Sequence, residues 1–183
     1  MTRRGKLIVL SGPGGVGKST IVGELKKRDH FYFSISATTR APRNGEIDGV
    51  AYHFVSPENF QEMINNGVFL EWADFAGARY GTPREPVLSA LASGKDVLLE
   101  IEIEGARQVK KAMPEAMMVF LHPPSMSELE ARITNRGTDS PERIAARLAL
   151  ARAEMAAAHE FDHIVTNHRV EEVIDALVSL ATS

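Results

Sequence analysis

The sequence predicts an α/β fold, in which helices cover both faces of a parallel β-sheet to form a three-layer sandwich. Short, continuously apolar runs recur along the 183-residue chain, as expected for parallel strands that are buried on both faces. Amphipathic segments alternate with these runs, and such alternation is typical of right-handed βαβ crossovers. The predicted strands are KLIVLS, YFSIS, VLLEIE, MMVFLH and HIVTN.

Five segments between the strands have the apolar spacing of amphipathic helices. They are STIVGELKKR, EPVLSALAS, EGARQVKKA, SELEARITNR and the long PERIAARLALARAEMAAAHEF. Two stretches interrupt the alternation. Residues 37–82 are rich in Gly, Pro and aromatic residues and include a short predicted helix capped by Ser56. Residues 125–147 are rich in arginine. The remaining segments form the predicted core: 1–36, 83–124 and 148–183.

Composition and charge exclude several classes of function. The net charge of -3 lacks the basic character that duplex nucleic-acid binding usually requires. The absence of cysteine excludes disulfides, thiolate metal sites and cysteine nucleophiles. The apolar run Leu7 to Leu10 is too short for a secretory signal, and no segment approaches the length of a membrane span. We therefore expect a cytoplasmic protein that binds neither nucleic acid nor membrane.

A phosphate-binding loop follows the first predicted strand. GPGGVGKS, residues 12–19, fits GxxxxGK[ST] and leads into a helix. Its glycines let backbone N–H groups surround phosphate oxygens at a helix N-terminus. Lys18 is expected to reach the β- and γ-phosphates, and the Ser19 hydroxyl to ligate Mg²⁺. The chain is therefore predicted to bind a nucleoside triphosphate. The predicted contacts are Gly12, Pro13, Gly14, Gly15, Val16, Gly17, Lys18, Ser19 and Thr20.

Other segments must identify the phosphate acceptor, because GTPases, motors and kinases share this loop. The segment NHRV at Asn167 lacks the lysine and aspartate of the NKxD loop of GTPases, which argues against a GTPase. Arg40 and Arg43 lie on either side of a turn fixed by Pro42. Two guanidinium groups on a stiff loop can hold a phosphate dianion. Arginines in a loop can also be solvated surface charges, so both interpretations stay open at this point.

One carboxylate, Glu71, lies between Leu70 and Trp72 in the segment FLEWADFAGARYGT. A desolvated carboxylate needs a partner or a ligand, since burying it unpaired is costly or neutralises it. In a regularly alternating strand, however, Glu71 faces solvent. On this segment alone, the solvent-facing interpretation is favoured.

Taken together, these segments resemble the guanylate kinase family, whose members phosphorylate GMP with ATP. The resemblance covers essentially the whole chain and is most specific in TTRAPR, FLEW and YGT. Its further motifs are GPGGVGKS, RGTD and IVTN. It implies a P-loop nucleoside monophosphate kinase fold, with residues 37–82 as an inserted GMP-binding subdomain and residues 125–147 as the lid. It also implies transfer of the γ-phosphoryl group of ATP to GMP or dGMP, giving ADP and GDP, in purine nucleotide metabolism and GMP recycling.

The resemblance further implies residues for each substrate. The GMP-binding set is Ser36, Arg40, Arg43, Tyr52, Glu71, Tyr80, Thr82 and Glu102. Arg136 and Arg147 would close on the phosphates of ATP, and Asn167 would lie near its adenine. Mg²⁺ bound with ATP would be held by Ser19 and Glu100. The catalytic set would be Lys18, Arg40, Arg43, Arg136 and Arg147. Until phosphates bind, we expect these arginines to repel one another.

One segment departs from the family pattern, which generally has LDIDxQG where this chain has LEIEIEG. Glu100 and Glu102 keep the charge of the two aspartates on longer side chains, whereas Glu104 replaces a glutamine and has no role that we derive. Arg143 is predicted to be a surface charge. Two alternatives stay open: a guanylate-kinase-like module that binds peptides without catalysis, and a related kinase for another monophosphate or a ribosyl phosphate. The complete phosphate loop argues against the first, and FLEW and YGT against the second.

Overall fold

The structure, a computed structural model, describes residues 3–183 and contains nine strands and seven α-helices within that range. In chain order they are β1 (Leu7–Ser11), α1 (Lys18–Leu25), β2 (Phe31–Phe33), β3 (Ala37–Thr38), β4 (His53–Phe54), α2 (Pro57–Asn65), β5 (Phe69–Phe75), β6 (Ala78–Pro83), α3 (Arg84–Ala92), β7 (Asp96–Glu100), α4 (Ile103–Ala112), β8 (Met117–His122), α5 (Met126–Thr134), α6 (Pro141–Ala156), β9 (His163–Thr166) and α7 (Val170–Thr182).

The central sheet has five parallel strands in the spatial order β2-β7-β1-β8-β9. These are the five strands predicted from the apolar runs, although β2 ends at Phe33 and β7 ends at Glu100. β1 lies in the middle of the sheet, with β2 and β7 on one side and β8 and β9 on the other. The chain therefore leaves β1 toward one edge of the sheet and later builds toward the opposite edge, which makes the position beside β1 a topological switch point. In open α/β sheets, ligands bind at the carboxyl end of the strands at such a switch point. The phosphate loop follows β1 at this point.

Side chains of β1 alternate between two apolar cores. Ile8 and Leu10 pack with residues of α1, α5 and α7, whereas Leu7 and Val9 pack with residues of α3 and α4. All four side chains are buried. Because helices cover both faces of the sheet, the predicted three-layer sandwich is confirmed.

A second sheet has four strands in the order β4-β3-β6-β5. It is formed by residues 37–83, which follow β2 and precede α3 in the chain. β3 pairs in parallel with β4, and β6 pairs antiparallel with both β3 and β5. α2 covers this sheet by packing Phe60 against Phe69 and Trp72. Ser56 caps α2 as predicted, because its Oγ accepts a hydrogen bond from the amide of Asn59 at 3.1 Å.

An extra residue in β5 sets the direction of the side chains that follow it. Phe69 and Glu71 both have partners in β6, but Leu70 between them has none, which defines a β-bulge. Phe69 and Trp72 therefore both pack against α2. Regular alternation would instead put Glu71 on the α2 side with Phe69. The solvent-facing interpretation of Glu71 is wrong, since the residue is only 7% exposed.

The arginine-rich stretch folds into α5, a connecting loop and the first half of α6. Ser125 and Ser140 cap the two helices. The single long helix predicted from Pro141 to Phe161 is wrong at its end: α6 stops at Ala156, and one 3-10 turn follows. Among the helices of residues 3–183, none has both the length and the apolar character of a membrane span.

Candidate active site

Two adjoining cavities open at the carboxyl end of the central sheet. The larger, about 840 Å³, is lined by the phosphate loop and by residues of α5 and α6. The smaller, about 430 Å³, lies between the central sheet and the second sheet. Both cavities are lined by Ser19, Phe75, Glu100 and Glu102. Groups bound in the two cavities would therefore meet at this common wall.

The phosphate loop has the conformation that its glycines permit. Gly15 and Gly17 have φ angles of 88° and 107°, in the region that glycine adopts without strain. Lys18 begins α1 and is buried, and its Nζ donates to the carbonyl of Gly12 at 2.5 Å. The lysine ammonium thus lies over the loop, where a phosphate oxygen can replace the Gly12 carbonyl as its hydrogen-bond acceptor.

Asn167 lies behind the loop and lines neither cavity. Its Nδ2 donates to the carbonyl of Val16 at 2.9 Å, and a Cβ at Gly17 would come within 2.8 Å of the same nitrogen. The side chain is buried and supports the loop from beneath. A contact with adenine therefore stays a prediction for this residue.

Two arginines of the predicted lid reach the larger cavity. Arg136 and Arg147 both line it, and Arg147 donates to Asp139 at 2.6 Å. Arg132 lines it as well and donates to the carbonyl of Val16 at 3.3 Å. Arg132 had no assigned role in the sequence analysis, because its closeness to the loop depends on how α5 packs.

Glu154 of α6 was also missed by sequence reasoning. Its Oε2 accepts a hydrogen bond from the amide of Gly14 in the phosphate loop at 3.0 Å. Burial raises the pKa of Glu154, partly offset by the Gly14 amide. The carboxylate therefore accepts from a backbone N–H group of the kind that donates to nucleotide phosphates in phosphate loops.

The smaller cavity brings together seven of the eight residues predicted to bind GMP: Ser36, Arg40, Arg43, Tyr52, Glu71, Tyr80 and Glu102. The eighth, Thr82, lies behind Glu71 and is 1% exposed. Its Oγ1 donates to Glu71 Oε1 at 2.6 Å. Thr82 is thus placed to orient the carboxylate rather than to line the cavity.

The Glu71 carboxylate is held between β6 and α4. Burial raises the pKa of Glu71, and hydrogen bonds from the Thr82 hydroxyl and backbone lower it in part. On the α4 side, Glu71 Oε2 lies only 2.6 Å from the position that a Cβ of Gly105 would occupy. A buried carboxylate that accepts one strong hydrogen bond still has lone pairs to offer to ligand donors.

Arg40 already has a carboxylate partner. Its Nη1 and Nη2 donate to the two oxygens of Glu46, each at 2.9 Å, and its guanidinium lies 5.3 Å from the centre of the Tyr52 ring. These hydrogen bonds lower the pKa of Glu46 to about 2 and raise the pKa of Arg40. The expected repulsion among free arginines is wrong for Arg40 and Arg147, because acids pair with both.

Ser19 and Glu100, the predicted Mg²⁺ ligands, lie at the wall between the cavities. Glu100 ends β7 beside Leu10 of β1, close to the start of the phosphate loop. Desolvation raises the pKa of Glu100, and the charge of Lys18 lowers it in part. A hydroxyl and a carboxylate suit Mg²⁺, which usually takes its other ligands from phosphates and water.

Two charged residues discussed in the sequence analysis lie outside both cavities. Glu104 is exposed and pairs with Arg107 at 3.1 Å. Arg143 is exposed on the first turn of α6, as predicted. Neither lines the site.

Comparison with known proteins gives a consistent result over nearly the full chain. A sequence model of the family described as guanylate kinase matches residues 4–183. A guanylate kinase of Mycolicibacterium paratuberculosis is 56% identical over 179 residues, covering 96% of this chain and 80% of that protein. One of Nocardia farcinica is 55% identical, covering 100% and 96%. The crystal structure of guanylate kinase from Anaplasma phagocytophilum matches with a TM-score of 0.78 and 30% identity, covering 99% and 86%.

Proposed function

The chain belongs to the guanylate kinase family and transfers the γ-phosphoryl group of ATP to GMP, and we propose that its two cavities divide these substrates. ATP binds in the larger cavity, on the phosphate loop, and GMP binds in the smaller one. The observation that supports this division most is the convergence of seven predicted GMP-binding residues in one cavity that adjoins the phosphate loop. Accordingly, residues 37–82 act as the GMP-binding subdomain and residues 125–147 as the lid.

In the smaller cavity, the two ends of GMP meet different chemistry. Arg40, Arg43, Tyr52 and Tyr80 surround the phosphate, because guanidinium groups and phenol hydroxyls donate to its oxygens. Glu71 accepts from the ring N–H and the exocyclic amino group of guanine, which lie side by side. Adenine lacks this pair of donors, so AMP would leave the desolvated carboxylate poorly paired.

Transfer between the cavities requires positioning and charge neutralisation rather than a general base. A phosphate oxygen of GMP attacks the γ-phosphorus in line, while Arg40 and Arg43 hold the attacking group. Lys18, Arg136 and Arg147 neutralise charge on the transferred phosphoryl. Mg²⁺ bound with ATP would be held by Ser19 and Glu100, and it would neutralise charge on the β- and γ-phosphates. Closure of both inserted segments would exclude water from the phosphoryl group.

A coupled assay with ATP against GMP, AMP, CMP and UMP tests the substrate assignment. We expect turnover with GMP to exceed turnover with the other three by orders of magnitude. Lys18→Ala is the matched inactive control, and it should lose about 10²-fold or more in kcat while remaining folded, because it removes a charge from the transferred phosphoryl. Comparable rates with AMP, or near-normal activity of folded Lys18→Ala, would contradict the proposal.

A further inference from the structure

We infer that Gln108 of α4 is a positioning residue that fixes Glu71 for recognition of the guanine base. The inference rests on the proposed role of Glu71 and extends it to a residue that lines neither cavity. Gln108 does not touch the substrate in this assignment. It acts by holding the backbone of the strand from which Glu71 projects.

The first observation is a pair of hydrogen bonds at the free edge of the second sheet. β5 is the last strand of that sheet, so one side of its backbone has no strand partner. Gln108 Nε2 donates to the carbonyl of Trp72 at 2.7 Å, and Gln108 Oε1 accepts from the amide of Trp72 at 3.0 Å. A side-chain amide offers the same donor and acceptor as a peptide group. Gln108 thus replaces a neighbouring strand at the residue next to Glu71.

The second observation places the same helix against the Glu71 carboxylate itself. Gly105 lies three residues before Gln108, so both lie on one face of α4. A Cβ at Gly105 would lie 2.6 Å from Glu71 Oε2. The absence of a side chain at Gly105 therefore lets the Glu71 carboxylate lie close to the backbone of α4. One turn later, the hydrogen bonds of Gln108 hold β5 at this distance from the helix.

The β-bulge explains why such a contact is needed. The unpaired Leu70 interrupts the β5–β6 ladder directly before Glu71. Bulges disrupt pairing locally and redirect the strand, and a one-residue slip turns each side chain to the opposite face. The Gln108 amide joins Trp72 on the far side of Glu71 from the bulge. We therefore assign to Gln108 the task of keeping Glu71 directed at the cavity.

Inosine monophosphate provides a probe for this assignment. Its base keeps the ring N–H of guanine but lacks the exocyclic amino group. A well-placed Glu71 accepts from both donors of GMP and from only one donor of inosine monophosphate. Displacing the carboxylate should therefore weaken the binding of GMP more than the binding of inosine monophosphate. A general loss of folding or of catalysis should instead reduce kcat/KM for both substrates alike.

The test variant is Gln108→Met, which keeps the side-chain length and helix propensity but loses both hydrogen bonds. We expect kcat/KM for GMP to fall about tenfold, chiefly through KM, and the preference for GMP over inosine monophosphate to shrink similarly. KM for ATP should not change. Lys110→Met is the matched control, because Lys110 lies on the opposite face of α4 from Gln108, donates to the carbonyl of Ala116 at 2.9 Å and lines neither cavity. It should lower stability and leave the base preference intact.

Glu71→Gln and the double variant separate the possible outcomes. If Gln108 acts through Glu71, Gln108→Met should have little further effect on base preference in the Glu71→Gln background. If Glu71→Gln shrinks the preference but Gln108→Met does not, the positioning role is wrong and the role of Glu71 stands. If Glu71→Gln leaves the preference unchanged, the proposed role of Glu71 fails. Equal losses for both substrates in Gln108→Met, with KM for ATP also raised, would overturn the inference in favour of a merely structural role.

Discussion

Glu71 shows at the scale of one residue how a buried charge becomes useful for specificity. Its carboxylate is removed from water, yet among residues 3–183 only the Thr82 hydroxyl donates to it from a side chain. Desolvation raises the pKa of Glu71. Ligand donors would restore the hydrogen bonds that the ionised form has lost, so base recognition and ionisation of Glu71 should be linked.

We therefore predict that GMP affinity depends on pH through Glu71. Above the pKa of Glu71 in the free protein, the carboxylate is ionised and can accept from guanine. Below that pKa, it must lose a proton before GMP binds, so affinity should fall by up to about tenfold per pH unit. Because the pKa is raised, this fall should begin above the ordinary titration range of a glutamate. Calorimetric measurement of Kd for GMP across that range provides the test.

Two other groups complicate this titration, and one variant removes their contribution. Glu100 lines the same cavity, and the phosphate of GMP itself titrates at about pH 6. Glu71→Gln retains both of these groups but lacks the Glu71 proton. The ratio of Kd values between wild type and Glu71→Gln should therefore isolate Glu71. A ratio that stays constant across the pH range would contradict the linkage.

At the scale of elements, apolar runs predicted the five core strands because buried parallel strands have a local sequence signature. The direction of Glu71 could not be predicted in the same way. It depends on a bulge at Leu70, which depends in turn on packing against α2 and α4. The resemblance predicted seven of the residues that line the smaller cavity. It missed Glu46, which pairs with Arg40, and Glu154, which accepts from the phosphate loop. Glu154 is 140 residues from Gly14, so only the tertiary fold reveals their hydrogen bond.

The contact between α6 and the phosphate loop leads to a prediction for ATP. The Glu154 carboxylate accepts from the Gly14 amide, and the residue lines the larger cavity. A triphosphate should displace this carboxylate, since two anions compete for one donor. Glu154→Gln keeps the size and removes the charge. We expect ATP affinity to increase several-fold in this variant, on the order of 1 kcal/mol, as measured by calorimetry.

Glu130→Gln is a suitable control for this measurement. Glu130 pairs with Arg152 of α6 at 2.7 Å, and neither residue lines the larger cavity. Glu130→Gln removes the same charge as Glu154→Gln, but it should leave ATP affinity unchanged. Weaker or unchanged ATP binding in Glu154→Gln would indicate that Glu154 does not compete with the nucleotide.

At the scale of the whole molecule, the distribution of acids explains how several arginines can lie close together around the site. The chain has 24 acidic and 21 basic residues, so enough carboxylates are present to pair with the arginines. Glu46 pairs with Arg40 beside the smaller cavity, and Asp139 pairs with Arg147 in the proposed lid. Substrate phosphates can replace these acids as partners. We therefore expect the inserted segments to change position when both cavities are filled.

Small-angle scattering measures this closure directly. The radius of gyration should decrease when GMP and a non-hydrolysable ATP analogue are added together, because arginines from both segments then meet phosphates. AMP in place of GMP is the matched control, and it should produce less compaction at the same concentration. Superimposable scattering profiles with and without GMP plus the ATP analogue would count against closure.

The specificity constants of wild type and Glu71→Gln for GMP and AMP test the central claim most directly. The substitution replaces one acceptor oxygen with an NH₂ group that faces the donors of guanine, while the new amide can donate to adenine. We predict that the ratio of kcat/KM for GMP to that for AMP falls by about 10²-fold, and that ATP affinity is unchanged. An unchanged ratio in a folded variant would contradict the assignment of Glu71 to the guanine base.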